Sequence, residues 1–311
     1  MTIDIIIPVH NRVAALIDTL KSLNTQSVLS EVTPRLIIID DGSIENIGNA
    51  VKAITSQFAN PWLPPIILNQ PHKGAATARN LGLQAATADI ILFLGADIML
   101  RPDTLQHHIE FHLQHPAKEA GALGFVMWNP ALKPNPFMEW MVHGGPQNDF
   151  DALLGKTQAD PNHFFYASHL SLKRAMVSRL SFDEQFSTYG WEDLDFGRQL
   201  AAQGFSLYLL HRAIGYHNHV YNLNTIKQRQ LATGASFALY SHKYAPLRQS
   251  INLGISRRVK HALAAYLGFF TLIQGLISHW PNHSFPKLFS CLTTHWFLQG
   301  FWRHKGHNQS L

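Results

Sequence analysis

The chain predicts an α/β fold, a mostly parallel sheet flanked by helices with a C-terminal helical extension, and three observations carry that expectation. Ile90–Leu94 is five consecutive apolar residues ending in the small turn Gly95-Ala96-Asp97. It is too short for a stable helix and shows no alternation, so it reads as a strand buried on both faces, the kind found in parallel sheets. Strand-like and helix-like patterns alternate along the first hundred residues with short polar turns between them, as parallel strands joined by right-handed crossovers require. Beyond residue 223 the apolar runs become helix-sized.

The elements follow in order. Residues 3–9, with Ile5, Ile6 and Ile7 ahead of Pro8, form a first strand, and His10, Asn11 and Arg12 a polar loop. Val13, Leu16, Ile17, Leu20 and Leu23 recur at helical spacing. The next unit repeats the plan: residues 36–39 as strand, Asp40-Asp41-Gly42-Ser43 as turn, and Ile47, Val51, Ile54 and Phe58 along a helix. Residues 66–68 give a third strand, and Gly74 opens a small-residue helix containing Arg79 and Asn80. After the Gly95-Ala96-Asp97 turn, Asp103 is placed to cap a helix over 101–115. Its histidines 107, 108, 112 and 115 read as a polar face, since the His108/His112 pair lacks the glutamate of an HExxH zinc pattern. A strand over 120–127 precedes a long irregular insertion, 128–162. A strand over 164–172, a short helix to 180, a helix opened by Trp191-Glu192-Asp193 and a strand over 206–210 complete this part.

Composition narrows the function. The net charge of +5 suits an anionic partner, but 14% charged residues are too few for a dedicated nucleic-acid surface, so phosphate-bearing small molecules or anionic lipid fit better. A single cysteine, Cys291, excludes an intrachain disulfide and suits a reducing compartment. The N-terminal residues have neither the basic nor the long apolar region of a signal peptide. The expected location is cytoplasmic.

Ligands of open α/β sheets gather beyond the carboxyl ends of the strands. Pro8, Asp41 and Asp97 all fall at such ends. One of two adjacent carboxylates in the Asp40-Asp41 turn can hold the loop while the other faces a ribose or base. Asp97 is the first candidate for chemistry. Glu192 and Asp193 stand at a helix start, where the dipole favours ionised carboxylates, and Asp193 can meet the demands on a general base, ionisation and hydrogen-bond reach.

The segments IIIPVHNR, IIDDGS, KGAATARNLG and DIILFLGAD, followed by FDEQFSTYGWEDLDFGRQL and GYHNH, resemble in order and spacing the family 2 glycosyltransferases of the GT-A fold, inverting enzymes. The resemblance implies a catalytic domain over 1–222, with 1–100 as the nucleotide-sugar half and 101–222 as the acceptor half. It implies a nucleotide-sugar donor, a sugar, polysaccharide or lipid-linked acceptor, and no nucleic acid. Pro8 and Asp41 would border the base, Lys73 and Arg79 would lie near the nucleotide, and Ala96 and Asp97 would meet the diphosphate. Asp97 and His217 would hold a divalent Mg²⁺ or Mn²⁺. Asp193 would be the base with Glu192 in support, and Trp191 and His169 would face the acceptor. The family pattern Asp-x-Asp is broken here by Gly95, which leaves open a rival, a non-catalytic sugar-nucleotide-binding or scaffold protein with a degenerate metal site. A nucleotidyltransferase ranks last, because PVHNR has no glycine.

Residues 223–311 are expected to be helical. Arg257, Arg258 and Lys260 precede an apolar stretch over 262–278, and a second stretch, 288–302, ends near Arg303 and Lys305. Both are at or below the length that crosses a bilayer. Basic flanks and tryptophans suit a peripheral place on an anionic cytosolic membrane surface, and a soluble helical hairpin is the alternative.

Overall fold

The computed structural model describes residues 2–27, 31–58, 62–244, 264 and 267–308. A nine-stranded sheet is ordered β3-β2-β1-β4-β8-β6-β9-β5, with β7 also on β9. The strands are β1 (Thr2–Val9), β2 (Thr33–Asp41), β3 (Ile66–Gln70), β4 (Ile90–Leu94), β5 (Ile98–Leu100), β6 (Ala120–Trp128), β7 (Gln158–Ala159), β8 (His169–Lys173) and β9 (Ser206–His217). β1 pairs in parallel with β2 and β4, and β2 with β3. β8 enters antiparallel between β4 and β6, and β6 and β9 are parallel again. The predicted class is therefore the observed one. β4 is buried along its whole length, as its unbroken apolar run requires.

Helices α1 (Val13–Asn24), α2 (Ile47–Thr55), α3 (Ala75–Ala85) and α4 (Thr104–Gln114) connect the strands. Leu16, Leu20 and Leu23 of α1 and Val51 of α2 join Ile3, Ile5, Ile7, Ile38 and Leu92 in one core. Under this core, buried Asp4 accepts from Arg35 Nε and Nη2, each at 2.8 Å, and from the backbone N–H groups of Thr87 and Ala88.

Three expectations need correction. The strand forecast over 164–172 begins only at His169, because Pro161 starts a short helix, α6 (Pro161–Phe164), capped by Asp160. Asp103 stands at the start of α4, but its carboxylate is taken by Arg101. The α4 histidines do not form a polar outer face. His108 and His112 are buried and point at β8. There Lys173 Nζ lies 3.3 Å from His112 Nδ1, His112 Nε2 lies 2.9 Å from Ser171 Oγ, Ser171 Oγ lies 2.8 Å from His108 Nδ1, and His108 Nε2 lies 3.1 Å from His169 Nε2. An ammonium only donates, so each link then has one direction, from Lys173 to His169. Neutral rings satisfy that chain. Burial lowers His112 to about 3, with Lys173 and His115 adding to it, and lowers His169 to about 4 against the Phe125 backbone hydrogen bond.

The chain divides into two compact units, one of residues 1–132, 152–187 and 192–219, the other of 133–151, 188–191 and 220–311. Both halves expected within 1–222 fall mostly in the first unit, and the insertion contributes 133–151 to the second. Within the second unit are α5 (Pro136–Val142), α9 (Leu223–Lys243), α10 (Phe269–His279) and α11 (Pro286–Asn308). The intervening α7 (Arg174–Val177) and α8 (Glu192–Ala201) belong to the first. α9 and α11 cross with backbones nearly touching: a Cβ on Gly234 would stand 2.0 Å from Phe297 O, and one on Gly300 2.0 Å from Leu231 O. The stretch over 288–302, expected to lie at a membrane, is thereby an interior helix of this unit, with Phe289, Leu292, Trp296 and Phe301 buried. Arg257, Arg258, Lys260 and the start of the 262–278 stretch lie outside the described residues.

Two outcomes follow for stability. Asp4→Asn leaves the Arg35 guanidinium without its counter-charge and should cost about 3 kcal/mol in denaturant unfolding. The folded-state values of His112 and His169 lie below that of an unfolded imidazole, near 6.5. Stability should therefore be intact above pH 6.5 and fall as pH drops toward 4, and His112→Gln should flatten that acid limb.

Candidate active site

The tip of β1 is where the loops of the first unit meet. His10 Nδ1 donates to Asp41 O at 2.8 Å, Asn11 N donates to Ser43 Oγ at 2.9 Å, and Ile44 N donates to Asn11 Oδ1 at 2.8 Å. Asn11 holds a left-handed φ of 51°, a conformation asparagine tolerates better than most residues. The next residue, Arg12, pairs with the Asp97 carboxylate beyond β4. One tip thus ties the β2 turn to the β4 turn.

Asp41 is buried and its carboxylate organises the β3–α3 loop. Oδ1 accepts from Gln70 Nε2 at 2.7 Å and Lys73 N at 2.8 Å, and Oδ2 accepts from Gly74 N at 3.0 Å and His72 Nδ1 at 2.8 Å. Gly74 has φ +93°, and a Cβ there would stand 2.6 Å from Ser187 O, so only glycine starts α3 at this spot. His10 and His72 stack at 3.9 Å beside this carboxylate. Lys73 is exposed at the same loop, and Pro8 is half-buried one strand over.

One turn into α3 stands buried Arg79. Its Nη1 lies 3.1 Å from Glu192 Oε1 and 3.0 Å from Asp193 Oδ1, and its guanidinium covers the Phe182 ring at 5.4 Å. Arg79, expected near the nucleotide, is here engaged by the acidic pair. Asp193 Oδ2 accepts from Ala167 N at 2.9 Å. The following residue, Ser168, accepts from Gly95 N at 2.9 Å, and Gly95 leads to Asp97. Ala167 and Ser168 therefore connect the Asp193 carboxylate with the Asp97 turn through one hydrogen bond each. Burial raises Asp193, Glu192 adds to the rise, and Arg79 and the Ala167 N–H oppose it, leaving it at about 7.

Asp97 is held the opposite way. Burial would raise it, but His217, Arg12 and His219 outweigh burial, so it titrates well below the ordinary carboxylate range. His217 Nε2 lies 3.1 Å from Asp97 Oδ2, and its ring stacks on Trp128. β5 brings them together by pairing Ile98 with His217. Ala96 is fixed through its carbonyl, which accepts from Thr19 Oγ1 at 2.9 Å.

Two groups of residues can receive a cation. Two ligands at right angles, each about 2.1 Å from a metal, stand about 3 Å apart, which is the Asp97–His217 separation. One carboxylate and one imidazole suit Mn²⁺, with phosphate and water oxygens completing its shell. A Cβ at residue 95 would stand 3.3 Å from Asp97 Oδ1 and 3.0 Å from Ile98 Cγ1, so a second carboxylate there would crowd the first. His10, Asp41 and His72 also have ligand atoms within 4.8 Å of one another. The Asp41 oxygens already accept hydrogen bonds from four groups, so Asp97 and His217 are the better pair.

Two residues expected to face the acceptor are engaged within the fold. His169 is wholly buried and turned toward His108. Trp191, with φ 73°, donates from Nε1 to Thr233 O at 3.0 Å and packs on Phe237 and Tyr240 inside the second unit. Arg12, His10 and His72 were passed over. The signal for Arg12 was a cation in the loop after the first strand.

The family model for Glycosyl transferase family 2 matches residues 4–178, the span holding Asp41, Arg79 and Asp97. The chain belongs to glycosyl transferase family 2. This family 2 chain is 25% identical over 226 residues to validoxylamine A glucosyltransferase of Streptomyces hygroscopicus subsp. jinggangensis, covering 66% of this chain and 52% of that protein. It thus spans about half the length of that relative. The amylovoran biosynthesis glycosyltransferase AmsB of Erwinia amylovora is 24% identical, with 70% of each chain covered. In fold it is similar to the mannosyltransferase PcManGT of Pyrobaculum calidifontis, solved with GDP-Man and Mn²⁺, at TM-score 0.55, 14% identity and coverage of 99% of this chain and 75% of that one. S. aureus TarS 1–349 with UDP gives TM-score 0.54 and 14% identity, covering 100% and 92%.

The acidic pair generates a direct test. Carboxyl titration of Asp193 by NMR should show a midpoint near 7, and Glu192→Gln, which removes a like charge, should move it down.

Proposed function

We propose that this family 2 member is an inverting glycosyltransferase that moves one sugar from a nucleoside-diphosphate donor to an acceptor hydroxyl. The observation that carries this reading is the link from Asp193 through Ala167, Ser168 and Gly95 to Asp97, a base and an anion-handling centre on one rim. Asp193 takes the proton of the acceptor hydroxyl as its oxygen attacks the anomeric carbon. The bond from that carbon to the diphosphate oxygen breaks, and its electron pair leaves with the diphosphate.

A base titrating close to working pH is well matched to that proton transfer. Arg79 opposes the rise that burial imposes on Asp193. Asp97 and His217 would hold a divalent cation, which supplies Lewis-acid neutralisation of the leaving diphosphate. Arg12 and Lys73 bring positive charge to the same rim, and Pro8 and the Asp41 loop border the nucleotide. AmsB, named for amylovoran biosynthesis, and a chondroitin synthase of Escherichia coli, 25% identical over 246 residues, support a saccharide or polysaccharide acceptor. No helix among the described residues is long and apolar enough to cross a membrane, which is compatible with a peripheral place on the cytosolic face.

Calorimetry with a panel of sugar nucleotides, with and without Mn²⁺, tests the reading. Metal-dependent binding and slow donor hydrolysis are expected, while binding indifferent to metal and without hydrolysis would favour the scaffold alternative. Asp193→Asn should lower turnover about 100-fold or more with donor affinity nearly unchanged. Retention of more than about a tenth of activity would remove Asp193 from the role of base.

A further inference from the structure

Charge is divided very unevenly along this chain. Every Asp and Glu lies at or before Asp195. Residues 220–311 carry ten Lys and Arg and no carboxylate side chain, while residues 1–219 carry 15 basic against 20 acidic residues. A segment at +10 attached to one at −5 is an electrostatic address for an anionic surface.

The same segment carries an apolar ridge. In α10, Ile273 and Ile277 are buried and Phe270 stacks on His295 at 3.6 Å, so that face packs within the second unit. Phe269, Leu272 and Leu276, with Trp280 just past the helix end, recur at steps of three and four and share another face. They are 47, 72, 37 and 43% exposed. Thr271, Gly275 and Ser278, also exposed, flank the ridge with small and polar groups. Eleven residues at 1.5 Å each make a helix of about 16 Å, too short to span a bilayer and suited to lying along its surface.

We propose that this ridge, Phe269, Leu272, Leu276 and Trp280, inserts into the headgroup region of an anionic bilayer to which the basic C-terminal segment draws the protein. The inference deepens the peripheral placement proposed above and is independent of the transferase chemistry. Charge sets the attraction and its salt dependence, and the ridge supplies burial of apolar surface once contact is made. A hydrophilic polyanion would satisfy the charge but leave the ridge in water, which is why the bilayer is the occupant favoured here.

The test is co-sedimentation of the full chain with vesicles of phosphatidylcholine alone or with about a third phosphatidylglycerol, at about 0.1 M salt. Binding is expected on the acidic vesicles, with release at high salt. Leu272→Ser/Leu276→Ser/Trp280→Ser, all at exposed positions and checked for folding by circular dichroism, should bind them about tenfold or more weakly. Brominated lipid should quench part of the tryptophan emission of the native chain, and Trp280→Phe should abolish that part. If the triple variant binds acidic vesicles as the native chain does, the ridge is not the insertion face, although the peripheral placement stands. If neither binds vesicles while heparin is bound, a soluble polyanion is the partner and both ideas fall. If the native chain is a dimer that the triple variant turns into a monomer, the ridge is covered by a second copy and the inference is overturned.

Discussion

Glu192, Asp193 and Arg79 place two carboxylates against one guanidinium in a site largely closed to water, and the other loops of the first unit are arranged around that imbalance. Two adjacent anions with a single buried cation cannot both ionise cheaply. The strain falls on Asp193, which is raised, while Asp97, beside Arg12, His217 and His219, is lowered. The two acids therefore differ in proton affinity because of their neighbours. Such a separation of proton affinities between nearby carboxylates is what the transferase reading proposed above needs.

The sheet makes that division possible by ending six strands on one rim. The β1 tip reaches both neighbouring turns, and β5, only three residues long, pairs with β9 and so delivers His217 to Asp97. Arg12 lies against the carboxylate oxygen that His217 also addresses. A cation arriving at Asp97 has to share or displace that guanidinium, which makes Arg12 a natural partner for the phosphates it would then meet.

The parallel half of the sheet and its helices were legible in the sequence because their signals are local: the unbroken run of β4, the helical spacing in α1 and the Asp-Gly turn after β2. The sequence likewise put Asp41 and Asp97 at strand ends and Asp193 at a helix start, where the structure has them. Other residues were misread wherever long-range packing decides. Nothing in the spacing of His108 and His112 says that a serine of β8 and Lys173 will give them partners in the interior, so they looked like a solvated face. Trp191 looked like a sugar platform because its left-handed backbone and its bond to Thr233 depend on a helix more than forty residues away. Arg79 gave no sign of its acidic neighbours, because Glu192 and Asp193 reach it from α8, more than a hundred residues on.

The crossing of α9 and α11 has a different kind of consequence. With Gly234 and Gly300 at the point of closest approach, no side chain cushions the two backbones, and neither helix can turn about its own axis without collision. Their aromatic faces, Phe237 against Phe297 and Phe301, are covered only while both helices are in place. Removing either helix would therefore leave the aromatic face of the other open to water, so the two helices order and melt together as one cooperative element.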